Sequence, residues 1–365
     1  MSQDLGIRGY DFVEFYVGSA KMVAYWYAKA FGFQIKGYIG PETGERQKTS
    51  YLLQNNNIKI LLTSPLQPSC ADVTDFLKQH GDGVRRWAMD VESVEDIYYY
   101  ALRNGAIPIC SPHRIEDKKG YVDQASIRIY DDVDLVFRNS DYFEGLFHPQ
   151  FDHPIQNYEM NTQATGLMQV DHIVGNVRVN EMNRWAQYFE QTLNFETFLY
   201  FGPGDISTQY SALLSKVVRS RDQKIKLPIN EPYPGLKKSQ IEEFIQEYHG
   251  SGIQHIALAS NNIISSIRAL RANGVEFLSV PDTYYENLRK RDIDIEENIA
   301  DLQDLGILCD IEGEGYLLQL FTKPIGDRPT FFFEVIQRCG GSQGFGHGNF
   351  QALFEAIERD QGRRG

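Results

Sequence analysis

A chain of 365 residues is long enough for two domains with ample core, and 42% hydrophobic with 23% charged residues is the composition of an ordinary globular protein, not a disordered one. A formal charge of −13 argues against a nucleic-acid partner, which calls for a basic patch, and leaves small molecules as the expected ligands. The opening MSQDLGIRGYDF lacks the basic and apolar regions of a secretory signal and no run approaches the roughly 18 apolar residues of a membrane span, so a cytoplasmic protein with no membrane partner is expected.

In chain order, the first helical pattern is AKMVAYWYAKAFGF (20–33), with Val23, Tyr27 and Phe31 on one stripe. It has a counterpart in MNRWAQYFEQTLNF (182–195), with Trp185, Phe189 and Leu193; a stripe at this spacing means core packing. Next, GVRRWAMDVESVEDIYYYALRNGAIPICSP (83–112) lies over GIQHIALASNNIISSIRALRANGVEFLSVP (252–281) at a constant offset of 169 residues. Each copy reads as an apolar strand, an amphipathic helix that stops at Asn-Gly, and a further strand running into Pro. The repeat predicts two halves of one design, residues 1–150 and 151–365, joined through the Pro-rich polar segment 141–166. Within that segment His148, Asp152 and His153 are expected in an exposed loop, and His80, His113, His249 and His347 are expected at the surface. The cysteines, Cys70, Cys110, Cys309 and Cys339, form no C-x-x-C pair, which points to reduced thiols.

The halves differ in chemistry. QVDHIVGNV, GIQHIAL and FFFEVIQR in the second half each set one metal-capable side chain in an apolar strand: His172, His255 and Glu334. The matching strands GYDFVEFYV, GVRRWAM and VDLVFRN are expected to place Phe12, Arg86 and Phe137 there. A lone buried glutamate is ordinarily neutralised by an arginine, here Arg328 or Arg338. The joint loss of all three groups in one half favours a cation instead, because two imidazoles and one carboxylate with open positions suit non-haem Fe(II) and oxygen chemistry. Strand alternation adds Phe332 to the Glu334 face and sets Gln319 beside Phe321. After the Gly-rich GSQGFGHGN, the helix at 349–361 carries Phe350, Leu353, Phe354 and Ile357 on one stripe; it reads equally as a packing helix or a lid.

Taken together, DHIVGN, LPINEP, KKSQI, GIQHIAL, EFLSVPDTYY, GYLLQLFTKPIGDRPTFFFEVIQR and GFGHGNF, in this order, resemble the 4-hydroxyphenylpyruvate dioxygenase family. The resemblance spans essentially the whole chain. It implies an α+β fold of two vicinal-oxygen-chelate domains, each of paired βαβββ modules in a curled half-open barrel sheet with helices outside, plus a C-terminal helix. The N-terminal domain would be metal-free. It further implies that His172, His255 and Glu334 hold Fe(II); that Ser215, Asn230 and Gln240 form the polar side of the substrate pocket with Gln319 nearby, these four being catalytic; that Gln254 also binds substrate; and that Pro228 shapes the pocket wall. Phe321, Phe332, Phe345 and Phe350 would contact or close over an aromatic ring, and Asn349 would help seat the C-terminal helix. The implied reaction converts 4-hydroxyphenylpyruvate and O2 to homogentisate and CO2 in tyrosine catabolism, by a homo-oligomer, dimer or tetramer. Three other activities fit parts of the pattern: hydroxymandelate synthase, which shares the iron site and substrate; a glyoxalase-type isomerase; and a non-enzymatic binding protein.

Overall fold

The repeated strand and helix patterns build two sheets of identical strand order. The computed structural model describes residues 4–151, 162–202, 212–291, 293–312 and 315–362. In the first half, β1 (Ile7–Tyr16) passes through α1 (Ala20–Phe31) to β2 (Gln34–Ile39), β3 (Lys48–Asn55) and β4 (Ile58–Pro65). Then α2 (Ala71–His80) leads to β5 (Gly83–Val91), α3 (Val94–Arg103), β6 (Ile107–Asp117), β7 (Gly120–Ile129) and β8 (Val133–Asn139). The second half repeats this with β9 (Leu167–Asn176), α4 (Met182–Leu193), β10 (Glu196–Phe201), β11 (Ala212–Arg219), β12 (Lys226–Tyr233), α5 (Gln240–Tyr248), β13 (Gly252–Ser260) and α6 (Ile263–Ala272). After an insertion of α7 (Asp282–Leu288) and α8 (Ile299–Leu305) it closes with β14 (Leu308–Glu312), β15 (Gly315–Phe321), β16 (Phe332–Cys339) and α9 (His347–Gln361). The sheets run β2-β3-β4-β1-β5-β8-β7-β6 and β10-β11-β12-β9-β13-β16-β15-β14, so two βαβββ modules meet along β1/β5 and again along β9/β13.

Local signals explain the matched helices. Ser93 caps α3 by accepting from the Asp96 N–H at 3.2 Å, and Asn262 caps α6 by accepting from the Ser265 N–H at 2.9 Å. Both helices stop at Asn-Gly, with Gly105 (φ 95°) and Gly274 (φ 99°) in the left-handed region that a side chain would strain. One expectation fails here. Residues 275–280 form no strand beyond a single bridge, Phe277 to Thr322, because the inserted α7 and α8 postpone the edge strand to β14.

The halves share one hydrophobic core. Phe331 and Phe333 point into it, with Phe15–Phe331 and Phe31–Phe333 ring centroids each 4.9 Å apart, while the alternate residues Phe332 and Glu334 face the hollow of the second sheet. His80, expected at the surface, is instead fully buried between the halves, bonded to Asp132 at 2.8 Å and stacked on Tyr248. His113 and His249 are exposed; the His347 side chain, Asp152 and His153 lie outside the described residues. His148 is not in an open loop but packs beside Phe151 at 5.0 Å, and burial pushes its imidazole down to about 4.

The hollow of the first sheet is filled by its own chain. Phe147 and Phe151 drop onto Phe12, Leu52, Leu61, Ala88 and Val136 as one apolar cluster. Strand register also corrects one counterpart. His255 pairs with Phe332 as Arg86 pairs with Asp134, so the place of Glu334 is taken by Val136, not Phe137. A one-residue offset puts a side chain on the opposite face, and Phe137 points into the shared core. Phe147→Ala should cost about 3–5 kcal/mol in urea unfolding by emptying this plug, while leaving metal binding in the second half unchanged.

Candidate metal centre

Three neighbouring strands, β9, β13 and β16, converge on one small residue. Ala257 on β13 is flanked by His172 on β9 and Glu334 on β16, and His255 stands two residues away on the same face. The methyl group of Ala257 leaves open the space that its neighbours surround. One ligand atom from each of His172, His255 and Glu334 lies within 4.8 Å of the others, and all three residues are buried. The Glu334 Oε2 is 3.2 Å from His172 Nε2 and 3.5 Å from His255 Nε2.

Arginine does not balance Glu334. Among the described residues no lysine or arginine reaches it: Arg328 donates to the carbonyls of Gln79 and Glu247, and Arg338 pairs with Asp171. Burial would raise the Glu334 carboxyl, but the facing His172 and His255 together outweigh it and hold it below the ordinary range. Burial lowers His255, whereas at His172 the carboxylates of Glu334 and Asp171 together overcome burial and raise it. Two imidazoles sharing one carboxylate, with no fixed cation, form a donor set suited to a divalent metal with open positions.

The backbone prepares both imidazoles. The β9/β13 ladder shifts register between Ile253 and His255, and again where Ala257 pairs with His172 but Leu258 with Val170. Gln254 and Asp171 are the extra residues at these bulges, which let each turn toward the histidine that follows it. His255 Nδ1–H donates to the Gln254 amide oxygen at 3.0 Å, and His172 Nδ1–H donates to Asp171 Oδ1 at 2.8 Å. With Nδ1 protonated and held, each Nε2 lone pair is free for a metal. Burial alone would raise Asp171, but hydrogen bonds from Arg338 and His172 hold it far below the usual carboxylate range.

Around this trio the hollow is aromatic on one side and polar on the other. His255 stacks on Phe332 at 4.8 Å and meets the edge of Phe321 at 6.1 Å; Phe345 meets His172 at 5.0 Å. Register sets Ser215 opposite Asn230, with Pro228 two residues along, on the face that Asn176 shares with His172. The Asn230 amide donates to Asn176 at 3.3 Å. Among the described residues Gln319, almost fully buried, finds no hydrogen-bond partner for either amide atom, and neither does Asn349 Nδ2. Gln240, in the first turn of α5, lines a cavity of about 20 Å³ with Gln254, Phe332 and Ile357 of α9. Strand register sets Ser215, Pro228, Asn230 and Gln319 on the faces that carry the trio, and Gln240 and Gln254 meet Phe332 at the small cavity; the Phe350 side chain lies outside the described residues. Helix α9 begins at His347, two residues before its expected start, and covers that hollow with Phe354 packed on Phe201, Leu213, Val217, Ile241 and Phe345.

Three groups at the site, Asp171, Tyr284 and Asp310, escaped the sequence reading, and Arg338, read there as a partner for Glu334, serves Asp171 instead. Asp171 had a visible signal, lying one residue before His172. Tyr284 and Asp310 had none: the Tyr284 hydroxyl donates to Asn349 Oδ1 at 2.6 Å, and Asp310 accepts from the Gly348 N–H at 2.9 Å, tying the first turn of α9 from α7 and β14.

Comparison with known proteins agrees with this geometry. Residues 169–296 match the model of the glyoxalase/bleomycin resistance protein/dioxygenase superfamily. The chain is 44% identical to 4-hydroxyphenylpyruvate dioxygenase of Yarrowia lipolytica over 98% of its length and 93% of that protein. It is 42% identical to the enzyme of the same name from Dictyostelium discoideum, over 98% of this chain and all of that one. Among solved structures, a triple mutant of 4-hydroxymandelate synthase from Streptomyces coelicolor superposes with a TM-score of 0.85 at 26% identity, covering 98% of this chain and 99% of that one. With identity above 40% to the two dioxygenases over nearly its full length, the chain belongs to the 4-hydroxyphenylpyruvate dioxygenase family of metal-dependent enzymes.

Proposed function

We propose that this protein converts 4-hydroxyphenylpyruvate and O2 to homogentisate and CO2, using Fe(II) held by His172, His255 and Glu334. The observation that carries the reading is the buried trio itself: two imidazole Nε2 atoms presented beside one carboxylate. Fe(II) bound there would supply a chelating site for the 2-oxo acid end of the substrate and an open position for O2.

The chain's own residues supply placement. Asp171 and Gln254 keep the two imidazoles in the tautomer that offers Nε2. Phe321, Phe332 and Phe345 surround the imidazoles and give the aromatic ring an apolar slot. Among the described residues the Gln319 amide and Asn349 Nδ2 lack hydrogen-bond partners, and a ligand carbonyl or hydroxyl would satisfy them, since a buried polar group without a partner costs free energy. Ser215, Asn230 and Gln240 complete the polar side and Pro228 its wall, while α9 excludes water from the reacting atoms. In this reading residues 1–150 are a metal-free domain, with Phe147 where a ligand would sit, and residues 151–365 are the catalytic domain. We further propose a cytoplasmic homo-oligomer; among the described residues no helix is long and apolar enough to cross a membrane.

Hydroxymandelate synthase is the second reading, on the strength of the fold match. By family resemblance in the sequence, Pro228 and Phe350 favour the dioxygenase. Metal-free protein prepared anaerobically and then given Fe(II), air and 4-hydroxyphenylpyruvate should consume O2 stoichiometrically and release a product whose NMR spectrum shows a trisubstituted ring. An intact para-disubstituted ring would mean the synthase, and no O2 uptake despite bound iron would mean a different substrate. Glu334→Gln, close in shape but uncharged, is expected to elute from gel filtration folded and without iron; full iron content and turnover would defeat the assignment.

A further inference from the structure

We propose that Arg338 is a positioning residue that joins the orientation of His172 to the seating of the segment over the pocket, so that metal binding and closure of α9 are coupled through one guanidinium. The inference rests on the reading of His172 as a metal ligand.

The contacts form a closed circuit. Asp171 Oδ1 accepts from His172 Nδ1 at 2.8 Å and from Arg338 at 2.7 Å, and Asp171 Oδ2 accepts from Arg338 Nε at 2.7 Å. The remaining Arg338 nitrogen donates to the Gly344 carbonyl at 2.6 Å. The next residue, Phe345, lies under the guanidinium at 5.7 Å and returns to the edge of the His172 ring at 5.0 Å. Two residues further on, α9 begins. The pair is mostly shielded from solvent, with Arg338 16% and Asp171 10% exposed, so a bidentate bond of this kind keeps both its strength and its geometry. Arg338 also shares β16 with Glu334, and even spacing puts both side chains on the same face.

The first half carries an independent version of the device. Asp11, at the equivalent bulge of β1, pairs with Arg138; Arg138 donates to the Phe147 carbonyl and lies 4.3 Å over the Phe147 ring. There the arginine seats the aromatic plug of a hollow that has no metal trio. The difference lies at the other carboxylate oxygen. Asp11 Oδ1 is held by the fixed charge of Lys59 at 2.7 Å, whereas Asp171 Oδ1 holds an imidazole that a metal would engage. In the second half the seat of the cover is therefore tied to a ligand, and thermodynamic reciprocity requires that a cover which strengthens metal binding be strengthened by it equally.

The test uses the full-length protein, anaerobic Fe(II) titration, and hydrogen exchange across residues 345–361 with and without Fe(II). In the unaltered protein Fe(II) should slow exchange in that segment. Arg338→Met should weaken Fe(II) binding about 10–100-fold, the usual effect of losing a group behind a ligand, and should abolish the Fe(II)-dependent protection. Asp171→Asn should do both, and the double variant should lose no more affinity than the weaker-binding single variant, because both act through one chain of contacts. A purely structural pair would lower the melting temperature without touching the Fe(II)-dependent difference in exchange. Loss of affinity with protection intact, altered exchange with affinity intact, or additive losses would each overturn the proposal. If Arg338→Met does not fold, Asp171→Asn decides by the same two readouts. Failure of the unaltered protein to bind Fe(II) would defeat the metal reading and this inference with it, whereas normal binding with indifferent variants would defeat the coupling alone.

Discussion

A carboxylate at 3% exposure on the floor of a sheet must be neutralised, and the second half of the molecule is arranged around that requirement at Glu334. The two arginines nearest in sequence are engaged elsewhere, and the groups that do approach the carboxylate are imidazole nitrogens. A site of this kind accommodates charge by binding a cation. The features around it follow from the need to present two neutral Nε2 atoms: bulges at Asp171 and Gln254, acceptors on both Nδ1 atoms, and an alanine at the centre.

The internal repeat shows what the same fold does without that requirement. In the first sheet Phe12 and Val136 stand at the places of His172 and Glu334, and the hollow is closed by Phe147 and Phe151 from the following segment. In the second sheet the corresponding cover is Phe345 and α9, joined to the strands by polar contacts through Tyr284, Asp310 and Arg338. The second cover combines the apolar packing of Phe345 and Phe354 with hydrogen bonds at its edge, and those edge contacts tie it to the strands that carry the trio.

The repeat, the two-sheet architecture and the trio were legible in the sequence because they depend on periodicity and on residue types that rarely enter apolar strands. The ungapped match of 83–112 with 252–281 showed the shared strand and helix of each copy, and the absence of counterparts to His172, His255 and Glu334 in the first half pointed to the metal. What could not be read depends on register or on distant partners. Placing Phe137 opposite Glu334 was a one-residue error that inverted the face, and only the pairing of Arg86 with Asp134 reveals it. The strand expected at 275–280 gave way to two short helices inserted before β14. Polar sequence context put His80 at the surface, but its burial depends on Tyr248 and Asp132, remote in the chain. Ser215, Asn230 and Gln240 have no local signature at all; they were found by family resemblance, and their common face becomes visible only when β11, β12 and β9 are laid side by side.

The central claim is that one metal ion sits in the second hollow and none in the first. The direct measurement is an anomalous difference map at the iron edge from crystals grown anaerobically with Fe(II). The account predicts a single peak bounded by His172 Nε2, His255 Nε2 and the Glu334 carboxylate, with no peak near Phe12, Arg86 and Val136. Iron bound elsewhere, or a second hollow with no peak at saturating Fe(II), would contradict it.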